Sequence, residues 1–493
     1  MLALLLCATV MLLWNLGAHP LKNWDESIYA QASKEMLQTG DWLTPHWNSQ
    51  PWFEKPPLYL WLTTAFFRVF GVKEFTARLP SALSGIGLVA IVYLLGRRMY
   101  SAAVGALAAV IVLTAFQIVQ ASRLVIMDVM LTFFIFVALY SYVRVRSDAR
   151  WWYAAATAAA LAFMTKGFAA IVAPAAIALA TMFDGRLRST SRKKHFWLAC
   201  ALGLALVTPW HIVMYVLHGR AFVNEYFSYH VLLRTASAIE GKTHRYMFYF
   251  DPFVTFFKPW WVLTPFAIAL GMRDNLSPKN SRSWVVLVLG VLVFVVFTIA
   301  RTQISTYIIP VYPAMAILIS ALLVCLYRFH RFVRPLVVGF GIFGCLFAIS
   351  KLTQPYETTD PLDTPIKELA LLARPTNDND SAPLIMFGGP ETSRLAPMFY
   401  SDRPVEQATA VAALPETSRL SRYIDFRPLA EITDSSGKRI LIKRADLAGV
   451  TLDHDVAVIA ESHGWVYGWI KKRTPNVTMG TAGGTRSNSQ TQR

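Results

Sequence analysis

Long apolar runs, separated by short polar loops, fill the first 351 residues of the chain. Runs of about 17 to 22 residues are long enough to cross the hydrocarbon core of a bilayer as helices. They predict about eleven membrane spans, near residues 2–18, 80–96, 102–121, 124–143, 151–166, 168–183, 196–217, 259–272, 284–300, 307–327 and 335–351. The pattern therefore predicts a polytopic α-helical membrane domain over residues 1–351.

The pattern changes after residue 351, where Pro, Asp, Thr and Glu become frequent. Short runs of strand-like composition follow, at Pro383 to Phe387, Arg439 to Ile442, Val456 to Ala460 and Trp465 to Ile470. These runs predict a small soluble α/β domain over residues 352–473. Residues 474–493 are rich in Thr, Gly, Ser, Asn and Gln, and we expect a disordered tail there.

The composition agrees with a membrane protein, because 55% of the 493 residues are hydrophobic, 16% are charged and the mean hydropathy is +0.41. The net charge of +17 comes largely from basic residues in alternate short loops. Such loops suit anionic lipid at the inner leaflet better than nucleic acid. The four cysteines lie within predicted spans, so neither a disulfide nor a Cys-based metal site is expected.

The basic loops also predict the orientation, since short cytoplasmic loops are enriched in Lys and Arg. They lie at residues 97–98, 144–150, 186–194, 273–282 and 328–334. The long segments 19–79 and 218–258, together with the C-terminal domain, are therefore expected on the outer side. The first apolar run has neither a basic region before it nor a clear cleavage site after it, which favours a retained span over a signal peptide.

Ionisable residues gather on this predicted outer side. Asp25 and Glu26 precede a helical pattern over Ile28 to Leu37, and Glu54 and Lys55 precede two prolines and a second helical pattern over Leu58 to Phe70. Asp128 lies about one turn inside its span, Lys166 ends another, and His230 and Arg234 lie in the second outer loop. An ionisable group within a span is costly and is a functional hypothesis by default.

Each of these residues also has a structural interpretation. Asp25 and Glu26 could be charges favoured by the helix macrodipole, and Glu54 and Lys55 could form a solvated ion pair. Asp128 could cap its helix or pair with Arg123. His230 could be an interfacial packing residue, and Lys166 could only extend toward the headgroups.

The string WDESIYAQASKEMLQTGDWLTPHWN, followed by PWFEKPPLYLW, resembles the first outer loop of bacterial C-type glycosyltransferases of the polyprenyl-phosphate-sugar-dependent superfamily. The string resembles that of the lipid A aminoarabinose transferases and, more distantly, that of the protein O-mannosyltransferases. Matching positions are Asp25, Glu26, Tyr29, Gly40, Asp41, Trp42, Phe53, Glu54, Lys55, Pro56 and Pro57. Further marks are the SRLVIMD stretch, TKG at 165–167, Arg234 and His244 before Pro259 and Trp260, and Tyr307 with Pro310 and Pro313. The resemblance covers about residues 20 to 330.

The resemblance implies an inverting transferase in which a sugar leaves a polyprenyl phosphate through an oxocarbenium-like transition state. Asp25 would be the base, with Asp128 and Glu26 beside it in the catalytic centre. The donor phosphate would be bound by Lys55, Arg234, Tyr29, Tyr307 and Lys166. A divalent cation at Glu54 and His230 is conceivable from some relatives, but two ligands are weak support for a metal, so no required cofactor is expected.

Two departures from the family pattern concern the sugar and the acceptor. Ile28 stands where the aminoarabinose enzymes often have Arg, and Arg301 with Gln303 stands where a Lys is common. The expected partners are a polyprenyl-phosphate sugar, a lipid or glycan acceptor such as lipid A, and membrane lipids, with the protein acting as a monomer in the bacterial inner membrane and its active site facing the periplasm. The alternatives are a protein O-mannosyltransferase-like enzyme, an oligosaccharyltransferase, or a transporter or lipid flippase. A transporter would place its polar groups near the membrane midplane, often within repeats.

Overall fold

The computed structural model describes residues 1–185, 189–190, 193–237, 244–276, 284–329, 331–352, 363–376, 380, 382–387, 395–409, 426–433 and 437–473. The tail over 474–493, which was expected to be disordered, lies outside the described residues. Within the described part, the chain forms a large helical region followed by a smaller region that contains a six-stranded sheet.

The first half of the helical region contains two helices in segment 19–79 and a series of apolar helices. They are α1 (Leu2–Leu13), α2 (Asp25–Thr39), α3 (Leu58–Phe70), α4 (Glu74–Met99), α5 (Ala102–Thr114), α6 (Phe116–Ser122), α7 (Asp128–Val145), α8 (Trp151–Lys166) and α9 (Val172–Phe183). A short hairpin of β1 (His46–Trp47) and β2 (Gln50–Pro51) lies between α2 and α3.

The second half begins with α10 (Lys194–Phe222), which continues into a π-helical segment over Val223–Leu233. The helices that follow are α11 (Arg234–Ala236), α12 (Phe250–Phe256), α13 (Thr264–Leu276), α14 (Trp284–Ile299), α15 (Val311–Phe329) and α16 (Arg334–Leu352). Short 3-10 segments occur at Gly167–Ile171, Trp260–Leu263 and Ser305–Ile308.

Every predicted span overlaps one of these helices, but the number of spans differs from the expectation. By length and composition, the described residues contain five helices that could cross a membrane, or seven if each of two bent pairs is one span. The predicted spans near 2–18, 284–300 and 335–351 correspond to shorter apolar helices, and those near 151–166 and 168–183 form one 33-residue run. The helical membrane architecture is confirmed, while the count of about eleven spans is not.

Gly167 ends α8 directly after Lys166. Its φ is +61°, a region that glycine adopts far more readily than other residues. A Cβ at this position would also lie 2.9 Å from the Tyr226 hydroxyl. The α-helical backbone therefore stops at Gly167, and the Lys166 side chain lies at the end of its helix.

The C-terminal region is built on a mixed sheet. Its strands are β3 (Leu384–Phe387), β4 (Val405–Thr409), β5 (Phe426–Pro428), β6 (Lys438–Lys443), β7 (His454–Ser462) and β8 (Trp465–Lys472), and its helices are α17 (Asp363–Leu372), α18 (Ala396–Ser401), α19 (Leu429–Ile432) and α20 (Arg444–Val450). The strand order is β5-β4-β3-β6-β8-β7. β3 pairs in parallel with β4 and β6, and β4 pairs in parallel with β5. β8 pairs antiparallel with both β6 and β7. The predicted α/β character of this region is confirmed.

The two faces of this sheet are buried in different places. Ile385, Ile440 and Val466 face a local core that includes residues of α19 and α20. The residues that alternate with them, such as Met386, Leu441, Trp465 and Tyr467, belong to a second apolar cluster. We call it the loop–sheet cluster, because it also contains Ile28, Tyr29 and Met36 of α2, Trp47 and Trp52 of the hairpin region, and Tyr59 and Leu60 of α3. The C-terminal region thus packs directly on the first outer loop.

Candidate active site

The first outer loop holds its ionisable residues at the ends of short elements, as expected. Asp25 is the first residue of α2 and is partly exposed. The β1–β2 hairpin turns at Asn48 and Ser49, whose φ values of +55° and +62° are typical of a type I′ turn. The hairpin leads to Glu54, which is buried, and Lys55, which is partly exposed. Both residues precede α3, which begins where Pro56 and Pro57 end.

Glu26 lies next to Asp25 but is only 3% exposed. Its Oε1 accepts hydrogen bonds from Arg78 Nε at 2.8 Å and from the Val125 N–H at 2.9 Å. Its Oε2 accepts from Arg78 Nη2 at 3.0 Å and from the Lys22 N–H at 2.7 Å. Glu26 therefore joins three parts of the chain and does not line the cavity described below. These contacts give Glu26 a structural role, and its part in catalysis stays a prediction.

Asp128 is paired with Lys166. The Lys166 Nζ donates to Asp128 Oδ1 at 2.6 Å, and the two side chains are about 10% exposed. The same ammonium lies 4.9 Å from the centre of the Tyr307 ring and interacts electrostatically with Asp25. Arg123, the alternative partner of Asp128, instead donates to the Met11 and Leu12 carbonyls. Residues from α2, α7, α8 and the segment before α15 thus meet at Lys166.

A cavity of about 250 Å³ opens beside this cluster. Its polar lining includes Glu54, Lys55, Lys166, His230 and Tyr307, all of which the sequence analysis had singled out. The apolar part of the lining, which we call the apolar wall, comes from the 3-10 segment after α8, from α14 and from the residue after α14, namely Phe168, Ala169, Ile171, Val296, Phe297 and Ala300. The cavity thus combines two lysines and Glu54 with hydrocarbon, a lining suited to an amphiphilic ligand.

The other candidate residues occupy different positions. Tyr29 is 5% exposed and belongs to the loop–sheet cluster, with its ring 5.9 Å from that of Trp52. Asp25, Tyr29 and Asp128 are not among the residues that line the cavity. The Arg234 backbone forms the start of α11, and the Arg234 side chain lies outside the described residues.

The possible metal site has two members. The His230 Nε2 and Glu54 Oε1 atoms are 4.0 Å apart, and both side chains are nearly inaccessible to solvent. Among the residues that the structure describes, no group of three or more His, Cys, Asp or Glu side chains could hold a metal ion. Structural and catalytic zinc sites use three or four protein ligands, and two are found here among the described residues, so the divalent cation stays a prediction.

Sequence reasoning missed two residues that shape the site. Arg78 was not singled out because the predicted span began at residue 80, although α4 extends outward to Glu74. Gln303 was noticed only as a departure from the family pattern. Its Oε1 accepts the Arg245 N–H at 2.9 Å and its Nε2 donates to the Arg245 carbonyl at 3.1 Å. It therefore fastens the second outer loop beside Thr302, which lines the cavity. Ile28, the other departure, is 1% exposed in the loop–sheet cluster.

Comparison with solved structures defines the fold class. The structure matches that of ArnT from Cupriavidus metallidurans bound to undecaprenyl phosphate with a TM-score of 0.77 and 19% sequence identity, covering 95% of this chain and 97% of that one. It also matches the archaeal oligosaccharyltransferase AglB from Archaeoglobus fulgidus with a TM-score of 0.59 and 10% identity, covering 97% and 75% of the two chains. The fold is therefore that of the C-type glycosyltransferases.

Sequence comparison agrees. Residues 54–213 match the family model described as dolichyl-phosphate-mannose-protein mannosyltransferase. An undecaprenyl phosphate-alpha-4-amino-4-deoxy-L-arabinose arabinosyl transferase from Pseudomonas fluorescens is 30% identical over 329 residues, which is 65% of this chain and 55% of the relative. An uncharacterised protein from Aquifex aeolicus is 29% identical over 330 residues, covering 64% and 62%. The chain thus spans between about half and two thirds of these relatives' length. The resemblance to the aminoarabinose transferases, with the protein mannosyltransferases more distant, is confirmed.

Proposed function

We propose that this protein is an inverting glycosyltransferase that moves a sugar from a polyprenyl phosphate to an envelope acceptor such as lipid A. The observation that carries the proposal is the cavity, which Lys55, Lys166 and Tyr307 line together with the apolar wall. A polyprenyl phosphate has an anionic head, which the lysines can bind, and a hydrocarbon tail, which the apolar wall can contact. The likeness to aminoarabinose transferases supports the sugar-phosphate donor.

Asp25 is the proposed base. It begins α2 and is close enough to Lys166 for their charges to interact. In the proposed reaction an acceptor oxygen attacks the anomeric carbon, its proton passes to the Asp25 carboxylate, and the anomeric C–O bond to the phosphate breaks. One displacement at the anomeric carbon inverts its configuration. A phosphate is a good leaving group, so no general acid is needed.

Lys55 and Lys166 are proposed to stabilise the departing phosphate. Both line the cavity, and fixed cations that face developing negative charge lower the barrier to reaction. The hydrogen bond from Lys166 to Asp128 orients the ammonium. Tyr29 in α2 and Arg234 in the second outer loop are also proposed to contribute to donor binding.

The donor is proposed to enter from the bilayer. Phe168, Ile171 and Val296 line the apolar wall and are 37%, 52% and 37% exposed, so this wall faces the surroundings of the helices. A prenyl tail could remain in lipid while the phosphate reaches the cavity. We place the reaction on the outer face of the bacterial inner membrane, on the strength of the basic residues in the opposite loops.

A protein mannosyltransferase is the second candidate, because the family model matched by residues 54–213 carries that description. The two candidates share a lipid-phosphate donor and differ in the acceptor. They can be separated by offering a peptide acceptor and a lipid A acceptor to the same preparation.

The test uses the full chain in lipid nanodiscs with a polyprenyl-phosphate sugar and each acceptor in turn. Mass spectrometry detects transfer, and NMR of the product gives its anomeric configuration. Asp25→Asn should abolish transfer, while Asp41→Asn serves as a matched control because Asp41 accepts backbone N–H groups from Leu43 and Thr44 elsewhere in the loop. Transfer at the wild-type rate by Asp25→Asn would remove Asp25 as the base. In vesicles that contain the protein, movement of the donor from one leaflet to the other without sugar transfer would favour a flippase instead.

A further inference from the structure

The helix that begins with Asp25 is held at its far end by the C-terminal region. Lys34, about two and a half turns into α2, is buried at 3% exposure. Its Nζ lies 2.5 Å from Asp402 Oδ1 and donates to the Phe399 carbonyl. It also lies 4.9 Å from the centre of the Phe399 ring. Phe399 belongs to α18, and Asp402 directly follows that helix.

The start of α2 is held by the same part of the chain. The Leu395 N–H, just before α18, donates to Asn23 Oδ1 at 2.7 Å. Asn23 lies two residues before Asp25. The Leu21 N–H donates to the Tyr400 hydroxyl at 2.7 Å, and that hydroxyl donates to Glu74 Oε1 at 3.1 Å. One short helix of the C-terminal region therefore bonds to the chain on both sides of Asp25.

The hairpin before Lys55 is held in a similar way. Glu35, next to Lys34, accepts the N–H groups of Asn48 and Ser49 at 2.9 Å each. The Asn48 side chain accepts the Val405 N–H at 2.9 Å and donates to the Val405 carbonyl at 3.1 Å. Val405 begins β4. The sheet thus fixes the turn that leads to Glu54 and Lys55.

A buried ammonium is an expensive way to stabilise an interface. Burial lowers the pKa of Lys34 below the value of an exposed lysine, and Asp402 opposes this effect only in part. The Asp402 side chain is 30% exposed and also pairs with Arg374 at 3.2 Å, so replacing Lys34 does not leave a buried, unpaired charge. Lys34 is therefore expected to contribute less to stability than a partner in a fully buried ion pair, and its placement calls for another role.

We propose that Lys34 is a positioning residue, through which α18 sets the position of α2 and hence of Asp25 against the donor. The inference rests on the proposed function. It assigns the C-terminal region a part in the reaction itself, because α18 contacts both ends of the helix that carries the base. Small displacements of a reacting group can lower a rate by about 100-fold, whereas substrate binding in the cavity would be preserved.

The test compares Lys34→Met with Lys438→Met in full-length protein. Lys438 pairs with Glu406 at 3.9 Å within the sheet region. It therefore controls for the loss of a lysine that pairs with a carboxylate of the C-terminal region. Lys34→Met should lower kcat by about 10- to 100-fold with the donor KM within about twofold of wild type, and the melting temperature should change little because Asp402 keeps solvent and Arg374 as partners. Lys438→Met should leave both kinetic constants unchanged.

Two further variants complete the design. Lys34→Arg keeps a cation at this position and should retain more of the wild-type kcat than Lys34→Met. Asp402→Asn weakens the contact from the other side and keeps the fold measurable if Lys34→Met is poorly produced; it should lower kcat with the same unchanged KM. Asp402 also pairs with Arg374 at 3.2 Å, so its effect should be smaller.

The outcomes separate the two levels of the proposal. Wild-type kcat in both Lys34→Met and Asp402→Asn overturns the positioning role, as does a fall in folded protein with unchanged kcat per folded molecule. A rise in donor KM with constant kcat also overturns it, because that would place the effect in binding. Absence of transfer by the wild-type protein with every donor and acceptor would instead count against the proposed function.

Discussion

The Arg78 guanidinium donates to both oxygens of the Glu26 carboxylate, at 2.8 Å from Nε to Oε1 and at 3.0 Å from Nη2 to Oε2. Arg78 also donates to the carbonyls of Leu16, His19 and Pro20. This pair joins the end of the first helix to α4 and, through the Val125 N–H, to the segment before Asp128. It fixes the backbone on both sides of the proposed catalytic carboxylates.

Loss of the Glu26 charge should therefore destabilise the protein. Glu26→Ala leaves the Arg78 guanidinium buried without its carboxylate, and breaking such a pair typically costs about 3 to 5 kcal/mol. We expect a large fall in melting temperature and in the yield of monodisperse protein. Glu26→Gln, which keeps a carbonyl oxygen, should lie between. A thermally stable but inactive Glu26→Ala protein would instead favour a direct role in the reaction.

The Lys166–Asp128 pair gives a second prediction. Asp128→Asn removes the counter-ion of an ammonium that lines the cavity, so the ammonium loses its fixed orientation. We expect kcat/KM to fall by about 100-fold or more, the size of effect found when a preorganised electrostatic contact is removed. Asp148→Asn is the control, because Asp148 lies exposed beyond the other end of α7. Equal activities of the two variants would contradict the role.

Lys55 should act on the donor more than on the acceptor. It lines the cavity, and we expect Lys55→Ala to lower kcat/KM for the polyprenyl-phosphate sugar by about 100-fold with little change in the acceptor KM. Steady-state kinetics with each substrate varied in turn would measure this. Lys73→Ala is the matched control, since Lys73 is exposed in the same outer loop. Unchanged donor kinetics in Lys55→Ala would argue against phosphate contact.

Asp380 predicts a dependence of stability on acid pH. Hydrogen bonds from Arg403 and Arg439 hold the pKa of the Asp380 carboxyl well below its usual range. The unfolded carboxyl titrates near about 3.9, so this contribution to stability is complete above that pH and is lost as pH falls toward the lowered folded-state pKa. The difference in melting temperature between wild type and Asp380→Asn should therefore be constant near neutrality and shrink below about pH 4. A difference that grows with acidity would contradict the assignment.

Local signals predicted the outer loop well. Leu58–Phe70 forms α3 with the predicted bounds, because Pro56 and Pro57 precede it and Gly71 ends it. The helix predicted over Ile28 to Leu37 extends to Asp25–Thr39, since the acidic residues are accommodated in its first turn. Each predicted span overlaps a helix, but bends and short helices, such as the 70° bend between α5 and α6, leave the predicted number of spans unconfirmed. An apolar run predicts which residues are removed from water, but it does not predict where a helix bends.

Pairings between distant residues could not be predicted. Asp128 and Lys166 are 38 positions apart, and Glu26 and Arg78 are 52 positions apart. No periodicity links residues at such distances, so Asp128 had several possible partners and Glu26 looked as catalytic as Asp25. The family resemblance assigned Lys55, Lys166 and Tyr307 to the donor phosphate, and all three line one cavity, while their role stays a prediction. It gave no sign that Glu26 would be held by Arg78.

The loop–sheet cluster makes the C-terminal region a poor candidate for separate expression. Trp465, Tyr467 and Met386 are almost completely buried, and part of what covers them comes from residues before position 70. A fragment that starts at α17 would present this face to water, where large apolar patches promote self-association. Antibody or crystallisation work on the fragment alone would therefore encounter aggregates, while co-expression with the first outer loop should keep it soluble.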